Sequence, residues 1–311
     1  MSGQTLSFVF KGKRYFEGDE LPPLPQVDPP RPPHEVLPTM YDLPSEFPEE
    51  PGLPDEFHDL QPQLLSRTLH LSNYSRKNYF TASDLNVYYT LDHPLWHKRP
   101  DWFLAVGVPR MHRDNVLRRS YVSWQESSPP CVMVEFLSPG TEEGDLGRFY
   151  SEADAVTTGE SAETRSRDSK NGKVTPPEKL EVYERYLRVP HYIVYSRHTR
   201  RLRYFKLVGG HYEEQELATG NCLIWLEDLA IGLGVWQGEF EDALDSWLRW
   251  CDQEGNWLLT DTEKEQDKAE EAQQQVVQAA KKLLATGMAF DQVVEVLSLT
   301  EEQIGLLELG K

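Results

Sequence analysis

The chain has 311 residues, enough for one large domain or two small ones. Its 51 acidic residues outnumber its 32 lysines and arginines, and with 39% hydrophobic residues this is a globular composition with a net charge of −19. The first 60 residues carry 12 acids and 4 bases and residues 261–311 carry 11 and 5, so the acidity concentrates at the two ends. This excludes a histone-like or polybasic binder, whereas the nearly balanced middle permits an anionic partner.

The cysteines and the hydropathy of the chain indicate in which cellular compartment the protein works. The chain has an odd number of cysteines, Cys131, Cys222 and Cys251, and they form no C-x-x-C pair of the kind that serves zinc or redox sites. No apolar run approaches the roughly 20 residues that span a bilayer. The apolar run at residues 6–10 precedes its basic residues, the reverse of a signal peptide. We therefore expect a soluble, cytoplasmic protein in a reducing compartment.

Proline marks the first region. Residues 22–54 hold 12 of the 22 prolines, which predicts extended, polyproline-like chain, because proline neither donates ladder hydrogen bonds nor continues a helix. Residues 6–15 alternate well enough for one weak hairpin. We assign residues 1–52 to a Pro-rich, acidic arm, and a linker or surface wrap is favoured over a docking arm for an SH3-type partner.

A compact core is predicted over residues 53–260. It opens with an amphipathic helix, one face of which carries Leu60, Leu64, Leu65 and Leu69. Runs of β-branched and aromatic residues then predict four strands, at residues 86–90, 102–108, 120–125 and 131–137.

The second half of the core contains an insertion and a crossover. Residues 151–177 are polar and predict a disordered insertion. A helix follows, which Thr175 can cap and in which Leu180, Tyr183 and Leu187 form the buried stripe. A strand at residues 191–196 and a hairpin at 202–217 complete a strand–helix–strand order. That order implies an α/β fold with a partly parallel sheet.

Residues 261–311 form a predicted helical tail. One apolar stripe and a capping box at Thr300 and Gln303 mark its helices. The acidic side chains of its last two helices would face phosphates, which argues against DNA reading there. We expect oligomerisation or partner docking instead, with a homodimer through the C-terminal helices as the specific case.

Glu135 is the most informative residue for chemistry. It stands in the apolar run Cys131-Val-Met-Val-Glu-Phe-Leu, which is typical of a strand buried on both faces. An ionised carboxylate there costs several kcal/mol unless it is paired or bound to a metal. A structural ion pair, with Arg118 or Arg119, and a functional role are both open.

A second carboxylate, Asp101, stands at the mouth of the preceding apolar strand. A Pro-Asp pair before a strand is commonly only a turn. Together with Glu135, however, it predicts a hard-oxygen site, because Mg²⁺ takes one or two protein carboxylates and keeps waters for a substrate phosphate.

Several motifs in order carry a resemblance to a known family. They are Pro100-Asp101, Glu135-Phe-Leu-Ser-Pro139, Asp145-Leu-Gly, Glu178-Lys-Leu-x-x-Tyr183 and Val189-Pro-His-Tyr-Ile-Val. This order resembles the Uma-type restriction endonucleases of the PD-(D/E)XK nuclease superfamily. The resemblance implies a restriction-endonuclease-like mixed sheet flanked by helices. It also implies that Asp101 and Glu135 hold Mg²⁺ or Mn²⁺ while a lysine orients the attacking water.

The chain departs from the superfamily at that lysine. The position two residues after Glu135, on the same face of the strand, is Leu137. The resemblance implies that Lys179 replaces the missing lysine, although an exposed surface lysine is an equally open interpretation. Further accessory candidates are Glu56, Ser138, Asp145 and Tyr183, and turn capping also explains Ser138 and Asp145.

Basic residues near the core indicate where phosphates could be neutralised. The candidates are Arg110, Arg113, Arg200 and Arg201. The alternation of Arg201 and Arg203 is also what a solvated strand face shows, so that interpretation stays open.

These observations predict a metal-dependent endonuclease that hydrolyses phosphodiester bonds of DNA. The alternative is a catalytically inactive module of nuclease fold that binds nucleic acid or a protein partner. A scaffold built on the two ends of the chain is a third interpretation.

Overall fold

A computed structural model describes residues 7–16, 27–29, 31, 35, 55–112, 115–138, 140–154 and 175–309. The chain divides into two units, Met1–Gln61 and Pro62–Lys311. Most of the Pro-rich arm and of the polar insertion lies outside the described residues. The predictions of a polyproline-like arm and a disordered insertion, and the boundaries of arm, core and tail, therefore stay predictions.

The first unit contains the predicted hairpin. Strands β1 (Ser7–Phe10) and β2 (Lys13–Phe16) pair antiparallel, with Phe10 opposite Lys13. The turn residues Lys11 and Gly12 both have positive φ, as a two-residue hairpin turn requires. Helix α1 (Glu56–Thr68) begins at the end of this unit and continues into the second.

The second unit contains most of the secondary structure. Its first strands are β3 (Tyr79–Ala82), β4 (Val87–Tyr88), β5 (His97–Lys98), β6 (Trp102–Val106), β7 (Tyr121–Val122) and β8 (Val132–Phe136). Helix α2 (Glu142–Leu146) follows, and α3 begins as the α-helix Lys179–Glu181 and continues as the π-helix Val182–Tyr186. The later strands are β9 (His191–Ser196), β10 (Arg201–Val208), β11 (His211–Glu214), β12 (Ile224–Leu226), β13 (Ile231–Phe240) and β14 (Ala243–Cys251).

Six strands form the central sheet, in the order β11-β10-β9-β8-β6-β3. The β8–β9 pair is parallel and the other four pairs are antiparallel. Because a parallel pair needs a crossover, the segment between β8 and β9 carries α2 and α3 across the sheet. The α/β class and the restriction-endonuclease-like fold, with a mixed sheet flanked by helices, are confirmed.

Alternation along the strands gives the sheet two different faces. Met133 on β8 and Leu137, the residue after β8, join a core with Leu146 of α2 and with Leu180 and Tyr183 of α3. On other strands, the Trp102 indole donates to Ser66 Oγ (2.9 Å), the Trp250 indole donates to the Leu65 carbonyl (2.9 Å), and the two rings lie 5.8 Å apart. Helix α1 and β14 thus pack against one side, and α2 and α3 cover the side on which Glu135 lies.

Two further sheets flank this framework. Strands β5-β4-β7 form a short one, whose residues Val87 and Tyr121 enter the same core as Leu180. Strands β12-β13-β14 form the other, and a disulfide joins Cys251 on β14 to Cys222, two residues before β12. The separation of these cysteines in sequence gives no indication of this bond, and the expectation of a reducing compartment receives no support from it.

The tail is helical, as predicted, with α4 (Asp261–Ala285), α5 (Phe290–Leu297) and α6 (Glu301–Leu309). Val277, Ala280, Val293, Leu299 and Leu307 form a small core of their own. Both reciprocal hydrogen bonds of the predicted Thr300–Gln303 capping box are present. Within the described residues, no helix is both long and apolar enough to cross a membrane. The homodimer stays a prediction.

Gly234 on β13 provides a test of the packing of β13. A Cβ added there would lie 1.7 Å from the Asn221 carbonyl oxygen, so Gly234→Ala forces the backbone to move. We expect a loss of about 2 kcal/mol or more in the free energy of unfolding, measured by urea denaturation. Gly144→Ala in α2 is the matched control, because its Cβ meets nothing within 4 Å. Equal stabilities of the two variants would contradict the described packing.

Candidate functional site

Glu135 lies at the centre of the candidate site, and strand geometry explains its burial. Side chains alternate along β8, so Glu135 shares a face with Met133 and Leu137, beneath α2 and α3. Its side chain is 0% exposed. The sequence-based prediction that this carboxylate needs a partner therefore applies in full.

Three donors satisfy the Glu135 carboxylate. Lys179 Nζ donates to Oε2 at 2.9 Å, and the Tyr183 hydroxyl donates to Oε1 at 2.5 Å. The backbone N–H of Asp101 donates to Oε2 at 3.3 Å. A buried carboxylate with donors on both oxygens avoids most of the penalty of an unpaired charge.

The structural partner considered from sequence is wrong. The Arg118 guanidinium binds the Glu126 carboxylate through two hydrogen bonds, of 2.8 and 3.0 Å, and its side chain is only 2% exposed. Arg119 is exposed. The cation that reaches Glu135 comes from α3, 44 residues further along the chain.

Asp101 lies directly beside Glu135. The antiparallel register of β6 and β8 pairs Trp102 with Val134, and one step further it brings Asp101 opposite Glu135. Asp101 Oδ2 accepts a hydrogen bond of 2.5 Å from the Phe136 N–H, while its own N–H donates to Glu135. These reciprocal bonds hold the two carboxylates next to each other.

Helix α3 delivers the lysine and the tyrosine together. Lys179 and Tyr183 are four residues apart, so both side chains leave the same side of the helix. Leu180 is buried and packs so closely on Gly147 that a Cβ there would lie 2.8 Å from Leu180 Cδ2. This contact fixes the first turn of α3. Glu178, and not Thr175 as the sequence indicated, occupies the N-cap position of the helix, and its side chain makes no capping hydrogen bond there.

Asp145 completes the group of side chains. Its Oδ1 lies 3.0 Å from Lys179 Nζ, and its backbone carbonyl accepts a hydrogen bond of 2.8 Å from the Tyr192 hydroxyl. The ammonium of Lys179 therefore bridges Glu135 and Asp145. Asp145 contributes a charge to the site, which turn capping alone does not explain.

Burial and charge shift the acidities of this group strongly. Burial raises the pKa of Glu135 well above 4.5; Lys179 opposes the shift, and Asp101 and Asp145 add to it. Burial lowers the pKa of Lys179, but the charges of Asp145, Glu135 and Asp101 outweigh it and raise that pKa well above 10.5. Shifts of this size in one small cluster are typical of functional sites, although structural ion pairs also cause them.

Leu137 explains why the lysine lies elsewhere. It is 4% exposed and packs in the core with Leu146, Leu180 and Tyr183. A lysine at this position would bury its ammonium among apolar side chains. The amine of Lys179 instead contacts Glu135 from the helix above.

The other predicted residues lie in varied surroundings. Glu56 is exposed at the first residue of α1, and Ser138 is buried in a turn where its N–H donates to Thr141 Oγ1 (3.3 Å). The Arg110 guanidinium is half-buried over the Phe80 ring, and Arg200 is exposed. Arg201 pairs with Asp154 at 2.7 Å, and Arg113 lies outside the described residues. Their functional roles stay predictions.

Sequence reasoning missed Glu184. Its carboxylate accepts hydrogen bonds from Arg148 (2.6 and 3.1 Å) and from the N–H of Tyr212 (2.6 Å), so it ties α3 to the 3₁₀ turn Gly147–Phe149 that follows α2 and to β11. Glu184 is 2% exposed, next to the buried stripe residues of α3. An acid beside an apolar helical stripe was the available signal.

The donor set fits a hard divalent cation. Among the described residues no three acidic, histidine or cysteine side chains converge as metal ligands. The adjacent carboxylates of Asp101 and Glu135 nevertheless match Mg²⁺, which takes one or two protein carboxylates and keeps several waters.

One family comparison bears on this arrangement. The model of the Uma2 family, described as "Putative restriction endonuclease", matches residues 38–235, nearly two thirds of the chain. The chain belongs to the Uma2 family. The match contains Asp101, Glu135, Asp145, Lys179 and Tyr183. No curated protein matches the chain. Membership of Uma2 suggests a nuclease.

Glu184 provides a pH-dependent test of how α3 is held. Burial raises the pKa of Glu184, but the hydrogen bonds from Arg148 and the Tyr212 N–H and the charge of Arg148 outweigh it, so the pKa falls below 4.5. A lowered pKa contributes stability above pH 4.5 that is lost as the pH falls through the folded-state value. Glu184→Gln should therefore cost about 1 kcal/mol at pH 7.

The measurement is thermal unfolding between pH 7 and pH 3. The melting temperatures of wild type and Glu184→Gln should converge at the acidic end. Glu181→Gln is the control, because Glu181 and Arg185 form an exposed pair on the same helix that contributes little. A difference in melting temperature between wild type and Glu184→Gln that does not change with pH would contradict the role of the ionised Glu184 carboxylate in holding α3.

Proposed function

We propose that this Uma2 protein is a metal-dependent endonuclease that hydrolyses phosphodiester bonds of DNA. The observation that carries the proposal is the contact between Lys179 Nζ and the buried Glu135 carboxylate, at 2.9 Å, beside Asp101. A lysine and two adjacent carboxylates are the groups that nuclease chemistry of this superfamily uses. The missing lysine at Leu137 therefore does not remove the chemistry.

Asp101 and Glu135 would hold the cation, Mg²⁺ or Mn²⁺. When bound, it would lower the pKa of a coordinated water and offset the negative charge of the substrate phosphate. Hard carboxylate oxygens without sulfur or imidazole favour these ions over zinc. Tyr183 would keep one Glu135 oxygen oriented through its 2.5 Å hydrogen bond.

Lys179 would act as a hydrogen-bond donor. Its pKa, raised by Asp145, Glu135 and Asp101, keeps the amine protonated at neutral pH, so it is unsuited to accept a proton. A protonated amine can orient the attacking water and stabilise negative charge on the phosphoryl oxygens. Its partial exposure, 27% of the side chain, leaves it accessible from the mouth of the site.

DNA is the proposed substrate because the central region of the chain is nearly balanced in charge and does not repel a polyanion as the two acidic ends would. Arg110 and Arg200 would contact phosphates outside the reacting bond. The catalytically inactive alternative predicts nucleic acid or protein binding without cleavage, so an activity assay separates the two functions.

The first experiment is cleavage of supercoiled and linear DNA with Mg²⁺ or Mn²⁺. We expect wild type to cut and Glu135→Gln to fall to background, because a metal ligand loses its charge. Lys179→Ala should reduce the rate by about 100- to 1,000-fold, as for loss of one catalytic donor. Lys268→Ala, an exposed lysine on α4, should cut like wild type.

The unfolding temperatures of all variants show whether a loss of cleavage is caused by misfolding. Asp101→Asn provides a second variant of a proposed metal ligand. Folded wild type that cuts no DNA with either metal, and that binds neither metal in calorimetry, would contradict the endonuclease. It would favour the inactive binding module.

A further inference from the structure

Lys98 is a second lysine that the chain directs towards the same site. It lies on β5, three residues before Asp101, and the antiparallel register places it opposite Val87. Directly opposite residues of an antiparallel pair share a face of the sheet. Val87 is fully buried in the core that contains Leu146 and Leu180, so Lys98 leaves β5 on the side of α2 and α3.

The neighbouring residue confirms this direction. His97 pairs with Tyr88 on the opposite face and is exposed, with its ring 5.3 Å from the Tyr88 ring. Lys98 itself is half-buried. This is the arrangement of a lysine whose stem covers apolar surface while its amine reaches the mouth of a polar site.

The amine of Lys98 lies within electrostatic range of the site. It interacts electrostatically with Lys179, Glu178, Asp145 and Glu135. Burial, and to a smaller extent the charge of Lys179, lowers the pKa of Lys98. Within the described part of the chain, no hydrogen bond or ion pair within 4 Å satisfies this amine. Lys179, by contrast, is engaged by both Glu135 and Asp145.

The two lysines therefore have different capacities. Lys179 already has carboxylate oxygens on its ammonium group, whereas no acceptor among the described residues binds the Lys98 amine, so its N–H groups can serve a ligand. A half-buried ammonium beside another cation is stabilised by an anion placed between or beside them. The anion that the proposed nuclease brings to this point is a phosphate of the nucleic acid backbone.

We propose that Lys98 binds a non-bridging phosphate oxygen of the nucleic acid backbone at the mouth of the site. This inference rests on the proposed endonuclease function and adds the residue that holds the phosphodiester against Asp101 and Glu135. Lys98 is thus a phosphate-binding residue, whereas Lys179 orients the attacking water. The competing interpretation is a lysine that merely shields the edge of β5 from water.

The test is equilibrium binding of a fluorescent DNA duplex over a range of salt concentrations, with Ca²⁺ in place of Mg²⁺. Lys98→Met keeps the apolar stem and removes the charge. It should weaken binding by about 10- to 100-fold at low salt, as expected for one charged hydrogen bond. The slope of log affinity against log salt should fall by about 0.9, the value for one lost phosphate contact.

Lys98→Arg should restore the salt slope, and Lys268→Met on α4 should leave both affinity and slope unchanged. Unfolding temperatures of all variants detect a purely structural effect. Binding by Lys98→Met that matches wild type in affinity and slope would overturn the inference. A lower unfolding temperature without a change of slope would also overturn it.

Cleavage by wild type, measured in parallel with Mg²⁺, separates this inference from the endonuclease function. If wild type cleaves DNA and Lys98→Met binds the duplex with wild-type affinity and salt slope, only the phosphate-binding role of Lys98 is overturned. Duplex binding that depends on Lys98, without cleavage, would support the phosphate contact and overturn the endonuclease. Wild type that neither binds nor cuts the duplex would overturn both.

Discussion

A fully buried carboxylate, that of Glu135, is the constraint on which the rest of the structure depends. An ionised group at that depth is unstable unless its oxygens are hydrogen-bonded and its charge is balanced. Asp101 on β6 and Lys179 and Tyr183 on α3 supply the donors. The carboxylate thus joins neighbouring strands and the crossover helix at one point, and the candidate chemistry lies at that same point.

The fold supports this point with ordinary packing. Alternation on β8 sends Leu137 into the core beside Glu135, and the parallel β8–β9 pair requires the crossover that places α3 above both. Glu184 anchors the second half of α3 to Arg148 and Tyr212, so the Lys179 and Tyr183 side chains are held from both ends of the helix. A rigid support of this kind is what positions catalytic groups within a fraction of an ångström.

Local sequence patterns predicted the helices and strands and showed that the Glu135 carboxylate needs a partner. Contacts between residues far apart in the sequence decided that this partner is Lys179. The apolar run around Glu135 indicated burial, and the strand–helix–strand order indicated the crossover. No local rule, however, could indicate that α3 reaches Glu135 across a polar insertion, and the neighbouring Arg118 was the wrong candidate because Glu126 lies closer to it. Lys98 and the Cys222–Cys251 disulfide were missed for the same reason, since two-residue strands and long hairpins leave weak sequence signals.

Anomalous diffraction from crystals grown with Mn²⁺ and a non-cleavable phosphorothioate duplex would show directly whether Asp101 and Glu135 hold a divalent cation. We expect one anomalous peak within bonding distance of carboxylate oxygens from both Asp101 and Glu135, about 2 Å for a small hard cation such as Mg²⁺. A backbone phosphate of the duplex should lie beside that peak. A well-defined duplex bound elsewhere on the surface, with no peak at these carboxylates and the contact between Lys179 and Glu135 unchanged, would contradict the proposed metal site.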